Sequence, residues 1–229
     1  MIESLIPQNL QFVKHEIQTL AIQEGRAPES VRLIAVSKNH PIESIQIAWE
    51  AGQTLFGENK VQELLTKIPL LPQAEWHLIG HLQTNKVKSI VGQVALIHSV
   101  DSERLLLEIE KQASLKGIVQ PILLQLFISG EETKSGLSPE EALSLLEDSN
   151  QFPHVQIKGL MGVAALTEDR EIIKAQFLTL SDYFQSWKNN RPNFTELSMG
   201  MSSDFPEAIQ YGSTLVRIGT AIFGSRNYA

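Results

Sequence analysis

Two groups of residues in this chain are of the types that bind and activate small molecules. The first is Lys38, which follows the run Val31-Arg32-Leu33-Ile34-Ala35-Val36-Ser37 and precedes Asn39-His40-Pro41. An ammonium at such a place can contact a phosphate, or, with a lowered pKa, act as the amine of a Schiff base. The second is a pair of loops, Leu197-Ser198-Met199-Gly200-Met201-Ser202 and Arg217-Ile218-Gly219-Thr220-Ala221-Ile222-Phe223-Gly224. Gly200 and Gly219 let the backbone approach an anion closely, and amide N–H groups with Ser and Thr hydroxyls supply donors. Each group has a plain structural alternative. The lysine can run off a strand end into solvent, the glycines can serve tight turns, and Arg217 can sit in a buried ion pair. A lysine and a phosphate cradle on one edge are more specific together than either is alone.

The surrounding pattern puts these residues on one edge. Residues 31–37 are short, apolar and rich in β-branched side chains, as a buried strand is. Pro41 suits the first turn of a following helix, expected over 41–51 and ended by Gly52. The same alternation then recurs. Strands are expected at 55–56, 76–79, 95–98, 121–128, 155–162, 196–198 and 214–218, each with a helical pattern after it. Asp101 is the expected cap of a helix reaching about residue 116, and Ser138-Pro139-Glu140-Glu141 reads as a capping box. A helix over residues 1 to about 25 precedes the first strand, with Leu10, Val13, Ile17, Leu20 and Ala21 on one face. Eight strand–helix units, the last helix being a stub at 219–224, point to one (β/α)8 TIM barrel spanning 1–229 with an extra N-terminal helix. An open doubly wound sheet is the alternative. In a barrel all strand C-termini face one rim, which would gather Lys38, Asn59, His81, Ser129, Met161, Ser198, Arg217, Gly219 and Thr220.

Composition narrows the function classes. The net charge of −7 argues against general nucleic-acid or anionic-membrane binding. With no cysteine in the chain, disulfides, thiolate metal sites and cysteine nucleophiles are excluded. The six histidines show no HExxH spacing, so no metal is expected. No basic leader or membrane-length apolar run is present, which makes a cytoplasmic location the expectation.

Several stretches carry a family resemblance. Ala35-Val36-Ser37-Lys38, Phe56-Gly57-Glu58-Asn59, Trp76-His77-Leu78-Ile79-Gly80-His81-Leu82-Gln83-Thr84-Asn85-Lys86, Leu160-Met161-Gly162, the loop from Leu197 to Asp204 and the loop from Arg217 to Gly224 resemble the pyridoxal phosphate homeostasis proteins. The matches span nearly the whole chain, in that family's order. The resemblance implies a fold-type III barrel similar to the N-terminal domain of alanine racemase. It implies pyridoxal 5′-phosphate (PLP) held as a Schiff base on Lys38. It also implies a phosphate bound by Gly219, Thr220 and Ser198, with Arg217 facing the pyridine nitrogen or the phosphate edge. Ser202 competes with Ser198 for the phosphate, and Asn59 either hydrogen-bonds near the ring or caps the next helix. A protonated Arg217 facing the ring nitrogen would keep that nitrogen unprotonated and so weaken the cofactor as an electron sink.

The leading expectation is therefore a PLP-binding protein that stores, buffers or delivers the cofactor. Amino acids and PLP-dependent apoenzymes would be its exchange partners, and a monomer its expected state. A small racemase on the same scaffold is the alternative. Racemases of the related fold add a C-terminal domain with a tyrosine base, and neither Tyr183, Tyr211 nor Tyr228 falls on an expected rim loop. A third possibility, an aldolase-like barrel forming its Schiff base with substrate, needs no PLP. The loop containing Glu131, Glu132 and Lys134 is a candidate lid.

Overall fold

The computed structural model describes residues 5–130 and 135–224. The loop residues Glu131, Glu132 and Lys134, and Tyr228, lie outside the described residues. The strands are β1 (Arg32–Val36), β2 (Leu55–Glu58), β3 (Glu75–Leu78), β4 (Leu96–Val100), β5 (Gln120–Gln125), β6 (Val155–Met161), β7 (Glu196–Met201) and β8 (Leu215–Ile218). The helices are α1 (Ile6–Gln23), α2 (Ile42–Glu50), α3 (Val61–Lys67), α4 (Val87–Ile90), α5 (Glu103–Lys116), α6 (Pro139–Glu147), α7 (Arg170–Lys188), α8 (Phe205–Gln210) and α9 (Thr220–Phe223).

The strands pair in parallel and in chain order. The sheet closes where β1 meets β8, in the register Arg32↔Leu215 through Ala35↔Ile218. The fold is the expected (β/α)8 barrel, and closure removes the open-sheet alternative. β2, β4 and β8 are buried at every position, as strands covered on both faces must be. α1 presents Ile6, Leu10, Val13, Ile17 and Ala21 at three- and four-residue spacing. It lies against α2, α8 and α9 beside the closure seam, and Asn9 Nδ2 donates to the Ile222 carbonyl at 3.0 Å. α6 begins with the expected capping box: the Ser138 hydroxyl accepts from the Glu141 amide, and the Glu141 carboxylate accepts from the Ser138 amide.

Some boundaries differ from the sequence expectation, and two of the differences matter to the site. β4 extends to Val100 and β7 to Met201, so His98 and Ser198 sit inside strands and not at their ends. The β7–β8 register shifts between Ser198 and Met201, where Gly200 adopts φ +94°. A glycine that reads as a loop signal therefore marks an irregularity within a continuing strand. The cap of α5 is Ser102, not Asp101. Pro41 is the cap residue of α2, one position before the helix, and not its first helical residue.

Inside the barrel, Ile34, Leu55, Leu96, Leu123, Met161 and Leu215 pack together. Side chains two residues apart on a strand share a face. His98 follows Leu96 by that step, and Arg217 follows Leu215. The barrel axis is thus apolar in one part and polar in another.

At Gly159 of β6 a Cβ would overlap the Glu196 carbonyl of β7. Gly159→Ala should therefore destabilise by several kcal/mol, well beyond the loss of about 1 kcal/mol expected for removing the α6 cap with Ser138→Ala. Urea unfolding of the two variants beside the parent checks the order.

Candidate functional site

Lys38 stands in a tight turn at the end of β1. The His40 amide donates to the Ser37 carbonyl at 3.1 Å, and Asn39 takes φ 62°, the left-handed conformation that asparagine tolerates well. The outside of this turn is braced by a buried ion cluster. Lys67 at the end of α3 spends all three ammonium protons there: on the Ser37 carbonyl at 2.9 Å, on Glu58 Oε1 at 2.7 Å and on Glu63 Oε1 at 2.7 Å. Glu58 Oε1 also accepts from the Ser37 hydroxyl at 2.6 Å, and Glu63 Oε1 accepts from the Asn39 amide at 2.6 Å. Burial pushes the Glu58 carboxyl above its ordinary range, and Lys67 partly offsets that.

The loop after β8 lies against the same turn. A Cβ on Gly219 would come within 2.9 Å of the Val36 carbonyl oxygen, so only glycine lets this loop pass the end of β1. The His40 ring stacks on Phe223 of α9 with centroids 4.9 Å apart. The amides that open a helix have no intrahelical acceptor. Here the Gly219 amide makes only a long 3.4 Å contact to Ser202 Oγ. Ser202 itself is fixed by its neighbours: Asp204 Oδ1 accepts from the Met201 amide at 2.5 Å, and Arg170 donates to the Ser203 carbonyl at 2.7 Å. Lys38, Ser202, Gly219 and Thr220 therefore belong to one rim.

Arg217 lies beneath that rim and is 5% exposed. Its Nη1 donates to Ser198 Oγ at 2.5 Å and its Nη2 to the Gly162 carbonyl at 3.0 Å. Burial lowers its pKa to about 10, a shift opposed by the charge of Asp204, so it remains protonated at neutral pH. From Ser198 a line of polar groups runs down the barrel. Ser198 Oγ is 2.9 Å from His98 Nδ1, His98 Nε2 is 2.9 Å from His77 Nδ1, and His77 Nε2 is 3.0 Å from Glu75 Oε1. Glu75 and Glu196 share Arg32 at the opposite mouth of the barrel, at 3.4 and 3.2 Å. Burial holds both histidines below the ordinary value of 6.5, His98 well below it, so both are neutral at pH 7.

The comparisons with known proteins point to one family. Residues 9–227 match the family model described as the alanine racemase N-terminal domain. The pyridoxal phosphate homeostasis protein of Haemophilus influenzae is 40% identical over 230 residues, covering 98% of this chain and 97% of its own length. This chain belongs to the pyridoxal phosphate homeostasis family. Among solved structures, an unknown protein from Bifidobacterium adolescentis superposes with a TM-score of 0.92 at 33% identity, covering 96% of this chain and 95% of its own. PipY of Synechococcus elongatus with PLP bound superposes with a TM-score of 0.80 at 39% identity, covering 91% of this chain and all of its own.

Asn59, His81 and Met161 make other contacts. Asn59 is half-buried at the end of β2, where its backbone lies so close to Gly80 that no Cβ fits there. His81 points an exposed ring at Asp101 Oδ2, 3.0 Å away, so Asp101 serves a rim contact and not the helix cap. Met161 packs in the barrel interior. Tyr183 stacks against Trp187 on α7, and Tyr211 follows α8; neither is on the rim. No group of three or more His, Asp or Glu able to hold a metal occurs among the described residues, nor is any described helix long and apolar enough to cross a membrane. Sequence reasoning missed His77, His98 and Lys67 as site residues. A signal existed for His98, which follows Leu96 by two positions in an otherwise apolar run.

The neutral histidines set a pH limit on stability. An unfolded histidine takes up a proton near pH 6.5, whereas His77 and His98 do so only at lower pH in the fold. Their contribution is fully present above pH 6.5 and is lost as pH falls below it, by up to about 1.4 kcal/mol per pH unit for each histidine. Denaturant unfolding from pH 8 to pH 5 should show this loss, and a variant with His98 replaced by asparagine should show a shallower slope.

Proposed function

We propose that this rim binds pyridoxal 5′-phosphate, with a Schiff base on Lys38, and that the protein acts in the homeostasis of that cofactor. The observation that carries the reading is the joining of an amine and an anion-binding loop at one strand end. Gly219 abuts Val36 and His40 stacks on Phe223, which puts the amides that open α9 beside the turn bearing Lys38. The donor set fits the cofactor's three recognisable parts: an aldehyde, a phosphate and a ring nitrogen. Lys38 supplies the amine. The Gly219 and Thr220 amides, with the Thr220 and Ser202 hydroxyls, supply donors for the phosphate. Ser202 suits that part better than Ser198, because it is the serine beside the Gly219 amide. Arg217, buried and charged, suits the ring nitrogen as a donor, and Ser198 holds it there. Asn59 flanks the ring from the end of β2.

When bound, PLP supplies an electrophilic carbon to which amines add and an aromatic ring that withdraws electrons. Around it, the cluster of Glu58, Glu63 and Lys67 fixes the turn from which Lys38 extends. Arg217 keeps its proton and offers N–H groups to an acceptor. The chemistry by which the cofactor would leave is exchange with another amine. That admits free amino acids and the lysines of PLP-dependent apoenzymes as acceptors.

The test is a spectrum of the purified protein loaded with PLP, followed by borohydride reduction and peptide mapping. A visible band and a label on Lys38 are expected. Lys38→Ala should lose both while unfolding at nearly the same denaturant concentration, because the side chain lies outside the packed core. A label on Lys86 would overturn the assignment.

A further inference from the structure

We propose that His98 is a positioning residue for Arg217, acting through Ser198: the barrel-axis hydrogen bonds all run one way, from Arg217 through Ser198, His98 and His77 to Glu75, and hold the guanidinium as a donor toward the cofactor ring. The inference rests on the reading above, in which Arg217 faces the PLP ring nitrogen.

The direction follows from counting donors. The Glu75 carboxyl is held below its ordinary range, first by its hydrogen bond from His77, so it is ionised and only accepts. His77 must then carry its proton on Nε2. A neutral imidazole has one N–H, so His77 Nδ1 is an acceptor, and the bond to His98 requires the proton on His98 Nε2. His98 Nδ1 is in turn an acceptor, and the Ser198 hydroxyl must give it its only proton. Ser198 Oγ is left with lone pairs alone, and the Arg217 Nη1 proton fills one of them. No link can be reversed while Glu75 is charged and both histidines are neutral. The Gly162 carbonyl holds the other terminal nitrogen at 3.0 Å, so the plane of the guanidinium is fixed at two points. Ser198 also has no proton left with which to serve a phosphate or a ring nitrogen. The chain begins at a partly exposed carboxylate at one mouth of the barrel and ends on the charged group beneath the other.

Two measurements test the proposal. The first uses the PLP-free protein. With histidines labelled in 15N, both His77 and His98 should be neutral near pH 7.5, with protons on Nε2 and bare Nδ1 atoms. A proton on His98 Nδ1 would reverse the Ser198 bond and overturn the proposal, whether or not PLP binds. The second uses the PLP-loaded protein. His98→Leu should raise the Kd for PLP about tenfold and change the absorption spectrum of the bound cofactor, while borohydride still labels Lys38. His98→Asn keeps an acceptor for the Ser198 hydroxyl and should recover most of the parental spectrum and affinity. The parental spectrum and affinity in both variants would overturn the proposal and leave the binding site standing. No PLP labelling of the parent protein would instead overturn the binding reading itself. If His98→Leu does not fold, the 15N measurement and His98→Asn decide: a His98→Asn spectrum far from the parental one counts against the proposal.

Discussion

The structure has to accommodate one full positive charge inside its barrel. Moving an ion out of water costs several kcal/mol even after a protein relaxes around it. Arg217 makes no ion pair among the described residues. Asp204 acts on it only through its field, and the direct partners are a hydroxyl and a backbone carbonyl. A directly bound carboxylate would neutralise the guanidinium and consume its N–H groups. Neutral acceptors satisfy part of the fork and leave the charge to act on whatever lies above it. Much of the local structure follows. β7 continues past Ser198, shifts register near Gly200 and runs to Met201, beyond which Ser202 meets the Gly219 amide.

The same rim is supported from two sides by different physics. Outside the barrel, the turn carrying Lys38 is held by an ion cluster in which Lys67 bridges two glutamates and a backbone carbonyl. Inside, Arg217 is held through neutral groups passed from strand to strand. The outer cluster gains from strong charge-assisted bonds that tie β2 and α3 to the turn bearing Lys38. One oxygen of Glu58 is buried there without a partner. This local cost is consistent with a cluster whose purpose is to define a turn. The inner chain avoids further charge beneath the guanidinium, because an ionised group there would alter the field that the rim presents.

The fold was largely legible in the sequence because barrel strands announce themselves. Runs such as residues 31–37 and 121–128 are continuous and apolar, and glycine, proline and capping residues punctuate them. The rim positions of Lys38, Gly219 and Thr220 were legible for the same reason: each stands at a break in the pattern. The inner residues were not. Ser198 reads as a strand end when Gly200 is taken as a terminator, and the structure shows the strand continuing through that glycine with a shifted register. His98 reads as a strand end because the apolar run stops at Ile97, whereas Ser99 and Val100 extend the strand. His77 and His98 are on different strands, and their contact depends on the stagger of a closed sheet. That stagger is a property of eight strands together and is not written in any local window.

Barrels of this class ordinarily fill their axis with branched apolar side chains. This one does so with Ile34, Leu55, Leu96, Leu123, Met161 and Leu215, and gives the rest of the axis to Glu75, His77, His98, Ser198 and Arg217. A half-satisfied polar interior would be worse than an apolar one. Histidine resolves the difficulty because a neutral imidazole offers one donor and one acceptor on opposite sides of a flat ring. Two of them in series can pass a hydrogen-bond direction across the barrel with no net charge and no unused polar atom. Glutamine could do the same only with an amide nitrogen that carries two protons, one of which would be stranded. The charged residues are thereby confined to the two ends of the chain, with Glu75 near solvent and Arg217 beneath the rim. The polar axis is the consequence of placing a positive charge where a ligand can use it.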